Sequence, residues 1–107
     1  MRTLKFVVRD LIVSKDPACD FSGLIPGTEG YIQAEFSFSN IWRDCDKVIA
    51  FTSMMGKEYP PQVLKNDICT IPAEALKNRK FNIQVLGKAD GKVLKTNKIT
   101  INQNGGH

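Results

Sequence analysis

Few residues in this 107-residue chain combine a reactive side chain with a spacing that could make chemistry of it. Its single histidine, His107, is the last residue and follows two glycines. A general base has to be held within hydrogen-bond reach of the proton it takes, and a terminal residue beyond Gly105-Gly106 is not held. Ser-His-Asp and Cys-His arrangements are therefore not expected; the stump of a purification tag is the lesser alternative reading of His107. Asp44-Cys45-Asp46 looks briefly like a ligand triplet, but calcium loops need more oxygen donors at defined positions. Gly23-Leu24-Ile25-Pro26-Gly27-Thr28-Glu29-Gly30 is glycine-rich without the Gly-Lys-Ser/Thr ending of a phosphate loop, and no helical pattern follows it. Asp16, Asp20 and Glu29 are scattered and form no acid/base pair. No catalytic, metal-binding or cofactor-binding residues are assigned, and no enzyme activity is expected.

Cys19, Cys45 and Cys69 cannot all pair within the chain, and none stands in a CxxC spacing. Neither a disulfide framework nor a zinc site has that pattern. Reduced thiols made in a cytoplasm are the expectation, with Cys69, between two isoleucines at 68 and 71, as a small core residue. The formal net charge is +4, unevenly spread: between Lys77 and Lys98 stand seven Lys/Arg and one acid, Asp90. A nucleic-acid or anionic patch is one reading. The other, favoured here, is a strand pair whose lysines face solvent and discourage edge pairing. Aromatics that could stack on bases are missing from that stretch apart from Phe81, which has core spacing.

The elements behind these residues read almost throughout with the period of two that marks strands. Leu4, Phe6 and Val8 alternate, and this first strand is expected to run on through Leu11-Ile12-Val13. Ser14 to Gly30 is mainly loop. Ile32, Ala34, Phe36 and Phe38 share one face of the clearest strand. Asn40 to Asp46 turns the chain and carries the one tryptophan, Trp42, placed near the core. Lys47–Ser53 is a strand, Met54-Met55-Gly56-Lys57 a hairpin connection, and Glu58–Leu64 a return strand that Pro60-Pro61 confine to an edge. Ile68–Ile71 is a short buried strand. Pro72 to Lys77 is the one helical signal, with Pro72 suited to the first helical position. Lys80–Leu86, Val93–Thr96 and Ile99–Asn102 complete the strands, with an Asp90-Gly91 turn between the first two. Residues 102–107 are expected to form a flexible polar tail.

Seven or eight short strands in one domain, 1–107, predict an all-β fold, with an immunoglobulin-like β-sandwich and one short helical corner as first choice. The N-terminus has no continuous apolar run of the signal-peptide kind, and no stretch approaches the ~20 apolar residues that span a bilayer. Apolar side chains at a turn stand out. Met54, Met55 and Tyr59 are the candidate protein-contact residues, against the alternative that both methionines fold back into the core.

Phe36-Ser37-Phe38-Ser39-Asn40-Ile41-Trp42, Lys47-Val48-Ile49-Ala50-Phe51, Ile68-Cys69-Thr70-Ile71-Pro72 and Thr96-Asn97-Lys98-Ile99-Thr100-Ile101 together resemble a small β domain of bacteriophage and prophage proteins from Gram-positive bacteria. In that family a strand ends in a Trp-containing turn, a Lys-x-x-x-Phe strand follows, and an Ile-Pro corner precedes the last strands with their Thr-Asn pair. The resemblance covers roughly residues 31–102. It implies an immunoglobulin-like virion structural protein of the head-fibre, decoration, adaptor or baseplate type. Such a protein is made in the host bacterial cytoplasm and docks on capsid, fibre or baseplate proteins, with self-association left open. A chain ending with the domain suits a decoration, adaptor or fibre-anchoring role best. The rivals are a phage-encoded regulator that binds a host protein or nucleic acid through the basic 77–98 stretch, and a carbohydrate-binding module stacking sugars on Trp42, Tyr31 or Tyr59. Neither a membrane nor a cofactor enters any of these readings.

Overall fold

The computed structural model describes residues 1–103; the expectations for His107 and for 104–107 lie outside the described residues. Eight strands form two four-stranded sheets. The first has the order β2-β1-β3-β6 and the second β5-β4-β7-β8. The strands are β1 (Arg2–Arg9), β2 (Ile12–Lys15), β3 (Ile32–Phe38), β4 (Asp46–Thr52), β5 (Gln62–Val63), β6 (Ile68–Thr70), β7 (Lys80–Ala89) and β8 (Lys92–Asn102). One turn of helix, α1 (Ala73–Leu76), makes the corner between β6 and β7. Pro72 is its N-cap, one residue ahead of the expected place.

The core lies between the sheets and is built by the alternation. Leu4, Phe6 and Val8 of β1 and Ile32, Ala34 and Phe36 of β3 face Ile49 and Phe51 of β4 and Phe81, Ile83 and Val85 of β7, all buried. The Phe6 and Phe36 rings stack with centroids 5.0 Å apart, a geometry that adds to simple area burial. Phe38, expected to be buried, is only half-buried. It packs on Trp42 at the end of the sandwich, and the Lys47 ammonium sits 4.6 Å from its ring centre.

Three further expectations need correcting. The first strand does not run on through Leu11: Asp10 takes a positive φ of 50° and turns the chain into the antiparallel β1–β2 hairpin. β1 then pairs with β3 in parallel, so β2 and the loop after it act as the crossover that parallel strands require. Second, the two expected C-terminal strands are one, β8, with a register shift opposite Val85. Thr96 and Asn97 together occupy the place opposite that residue, forming a β-bulge. The Val85 N–H donates to Thr96 Oγ1 at 3.0 Å. Asn97 is thereby turned towards β2, where its Oδ1 accepts the Val13 N–H at 2.8 Å and its Nδ2 donates to the Val13 carbonyl at 3.3 Å. One side-chain amide substitutes for a neighbouring strand and ties the two sheets along that side.

Third, Asn102 and Gln103 belong to the folded body and not to a polar tail. Asn102 ends β8, and Gln103 is buried with its Nε2 donating to the carbonyls of Leu76 and Asn78. These bonds, with Gly27 N–H to the Leu76 carbonyl at 2.7 Å, satisfy the end of α1. Trp42 closes the opposite end of the sandwich. It is fully buried in a 3₁₀ turn (Asn40–Trp42), and its Nε1–H donates to the Asp10 carbonyl at 2.7 Å.

Candidate docking surface

β4 leaves the core at Thr52, and Ser53 organises the turn that follows. Its Oγ accepts the N–H groups of Met55 and Lys57 at 3.2 and 2.9 Å. Its backbone accepts from Gly56 and donates to Lys57. Gly56, at φ +88°, takes the one left-handed position, which a side chain would strain. The N–H groups of Ser53, Met55, Gly56 and Lys57 are thus bonded within the turn, and its apolar side chains are left outside. Met55 is 96% exposed and Met54 53% exposed, so neither methionine folds back into the core.

Tyr59 behaves differently. It is only 9% exposed; its backbone N–H donates to the Phe51 carbonyl, and its hydroxyl accepts from Asn78 Nδ2 at 2.7 Å. It forms the wall of a groove of about 920 Å³ that runs from the methionines to the end of the β7–β8 pair, with Lys57, Arg79, Lys80 and Asn102 along it. Met54, Met55 and Tyr59 are therefore brought together, two as exposed rim and one as buried support. Among the described residues no acid lines this groove, and the one ion pair is Lys47–Asp67, elsewhere on the molecule. The groove therefore presents cations, amide groups and two thioethers.

Asn78, Arg79, Lys80 and Asn102 escape sequence reasoning as site residues. They arrive from the α1–β7 link and the end of β8, and only the sheet pairing of Lys80 with Asn102 places them beside the Met54 turn. The basic charge between 77 and 98 was the available signal.

The remaining candidates fall elsewhere. Asp44 and Asp46 lie with Asp90 and Lys88 around a shallow depression at the far end of the second sheet, and Asp44 is a turn residue at φ +65°. Among the described residues no group of three or more His, Cys, Asp or Glu side chains is placed to hold a metal ion. Cys19, Cys45 and Cys69 are free thiols, and burial pushes the Cys69 thiol up to about 12. Asp20 sits in the loop after β2, where hydrogen bonds from the Ser22 side chain and backbone hold its carboxyl below the ordinary value. Of the aromatics considered for sugar stacking, Trp42 and Tyr59 are buried and Tyr31 alone is exposed.

No protein-family model matches the chain, and no curated protein or solved structure matches it either. The fold and the groove are the whole basis for a functional reading, together with the motifs set out above.

Proposed function

We propose that this chain is a non-enzymatic docking domain of a bacteriophage particle, attached to other particle proteins through the Met54–Tyr59 turn and its groove. The observation that carries the proposal is the pair of exposed methionines on a turn that Ser53 holds by hydrogen bonds to Met55, Gly56 and Lys57. Leaving a large apolar side chain wet at 96% exposure has no stability return, and adaptable thioethers suit a contact surface. The phage part of the reading rests on the sequence resemblance carried by the Trp-containing turn, the Ile-Pro corner and the Thr-Asn pair.

The finer fold assignment belongs with this reading. The order β5-β4-β7-β8 corresponds to the C′-C-F-G sheet of an immunoglobulin variable-type domain, and the antiparallel β3–β6 pair to B and E. The parallel β1–β3 pair departs from that scheme. An immunoglobulin-like sandwich with a rebuilt first strand accounts for both. The test is mass spectrometry of purified particles from the host that carries this gene. A stoichiometric presence is expected; presence in infected cells with absence from particles would favour the regulator.

A further inference from the structure

The groove does not end at Lys80. On β7, Phe81, Ile83, Val85 and Gly87 face the core, so Lys80, Asn82, Gln84, Leu86 and Lys88 face outward. Strand pairing adds Asn102 beside Lys80, Thr100 beside Asn82, Lys98 beside Gln84, Lys95 beside Leu86 and Val93 beside Lys88. Lys80, Lys98 and Lys95 thus form a row along the outer face of the β7–β8 pair, continuous with Lys57 and Arg79 in the groove. Among the described residues the acids on the outward face of that sheet are Asp46, paired in register with Lys88 at the far end, and Glu58, bridged to Thr52 on the side of β4 away from β7 and β8. No lysine or arginine of the row is in an ion pair among the described residues. At the ~3.3 Å rise of a strand, the Lys98 and Lys95 levels, two residues apart, are about 7 Å apart, and the row from Lys80 to Lys95 spans about 20 Å.

We propose that this row and the groove bind an extended, acidic segment of a partner protein, one in which carboxylate and apolar side chains are interspersed. The proposal rests on the docking reading and specifies its partner. Three features select a polypeptide. Alternate side chains of an extended peptide recur with the two-residue spacing of the sheet's levels, so carboxylates can meet the ammonium groups at the levels of Lys80, Gln84 and Leu86, with the Asn82–Thr100 level between the first two carrying no cation. Apolar groups punctuate the cations, Met54 and Met55 at the groove and exposed Val93 beyond Lys95, and a phosphodiester backbone has nothing to set against them. Among the described residues no exposed aromatic ring lies on the face to stack a base, which single-stranded nucleic acid would use. A second copy is disfavoured as occupant, since facing two such surfaces would oppose lysine to lysine. The paired ions remain near water, so they contribute specificity and encounter rate as much as affinity.

The experiment is fluorescence anisotropy with a labelled peptide of alternating glutamate and leucine, ~10 residues long so as to cover the row and the groove mouth. The comparison probes are the same peptide with glutamine for glutamate, a random-sequence duplex DNA, and vesicles of phosphatidylserine and phosphatidylcholine. The acidic peptide is expected to bind and to weaken as salt rises. The glutamine peptide is expected to bind about tenfold more weakly. The triple variant Lys80→Gln, Lys95→Gln, Lys98→Gln should lose a similar factor at unchanged Tm, while Lys5→Gln on the other sheet should lose none. Absent binding, equal binding of the glutamine peptide, indifference to the triple variant, or tighter binding of DNA or vesicles would each overturn the proposal. If particle incorporation depends on Met54 and Met55 while no acidic peptide binds, the docking function stands and this inference alone falls.

Discussion

Replacing Gly87 with alanine should unsettle the Trp42 end of the sandwich. A Cβ on Gly87 would lie 2.6 Å from Cζ3 and 2.8 Å from Cε3 of the indole. Carbon atoms in good contact sit about 3.5–4.0 Å apart, so the overlap is about 1 Å. Neither side yields easily. The indole is fully buried and bonded to the Asp10 carbonyl at 2.7 Å. Gly87 is held in the ladder between Lys47 of β4 and Leu94 of β8. Overpacking of this kind costs about 1–3 kcal/mol, and losing the indole hydrogen bond adds about 1 kcal/mol. The expected loss is therefore about 2–4 kcal/mol, with Tm falling by about 10 °C or more. Urea unfolding followed by the fluorescence of the single tryptophan and by circular dichroism measures it. Trp42→Phe should make room for the new methyl, so Gly87→Ala in that background should cost clearly less than in the parent. A loss below about 0.5 kcal/mol, or an equal loss in both backgrounds, would refute the reasoning.

Other substitutions probe the rest of the frame. Asn97→Ala should cost about 1–3 kcal/mol in denaturant unfolding, because it leaves the backbone N–H of buried Val13 without its acceptor; an unchanged midpoint would show that the two sheets need no tie there. Phe36→Ala should cost about 3–5 kcal/mol, and a loss under about 1 kcal/mol would mean the β3 face is not core. The Cys69 thiol is raised from 9.0 to about 12 by burial. Its contribution to stability is whole below pH 9 and is lost as pH rises towards 12, because the unfolded chain releases that proton first. At pH 8, a thiol reagent should label half-buried Cys19 and Cys45 well before Cys69; equal rates would contradict the burial.

Where one face of a strand is apolar and the other polar, the pattern predicts the element and its inward side. β3 follows the Ile32–Phe38 alternation, and the Pro60-Pro61 interruption cuts the expected return strand down to Gln62–Val63, at an edge, with a single bridge from Glu58 to Thr52 ahead of it. The pattern fails where a residue breaks the period without a glycine or proline to mark it. Asp10 adopts a positive φ that side chains seldom take, so Leu11–Val13 reads as a continuation when it is a return strand. The Thr96-Asn97 bulge shifts the alternation by one, so a single strand reads as two. Gln103 looks like tail because a glutamine's burial depends on carbonyls that only the folded α1 corner supplies. The methionines stand out in sequence as apolar residues in a turn, whereas the groove's lining is gathered from three separate segments, around 53–59, 78–80 and 102.

The central claim is that the Met54–Met55 tip is a contact surface and not part of the core. It is tested most directly by the variant Met54→Ser, Met55→Ser, comparing its abundance in purified particles by mass spectrometry with its Tm. With both side chains exposed, serine removes apolar contact area and little packing, so Tm should move by no more than a few degrees. Incorporation should fall severalfold, since a few apolar anchors carry most of such an interface. A variant that melts several degrees lower yet enters particles at the parental level would contradict the account.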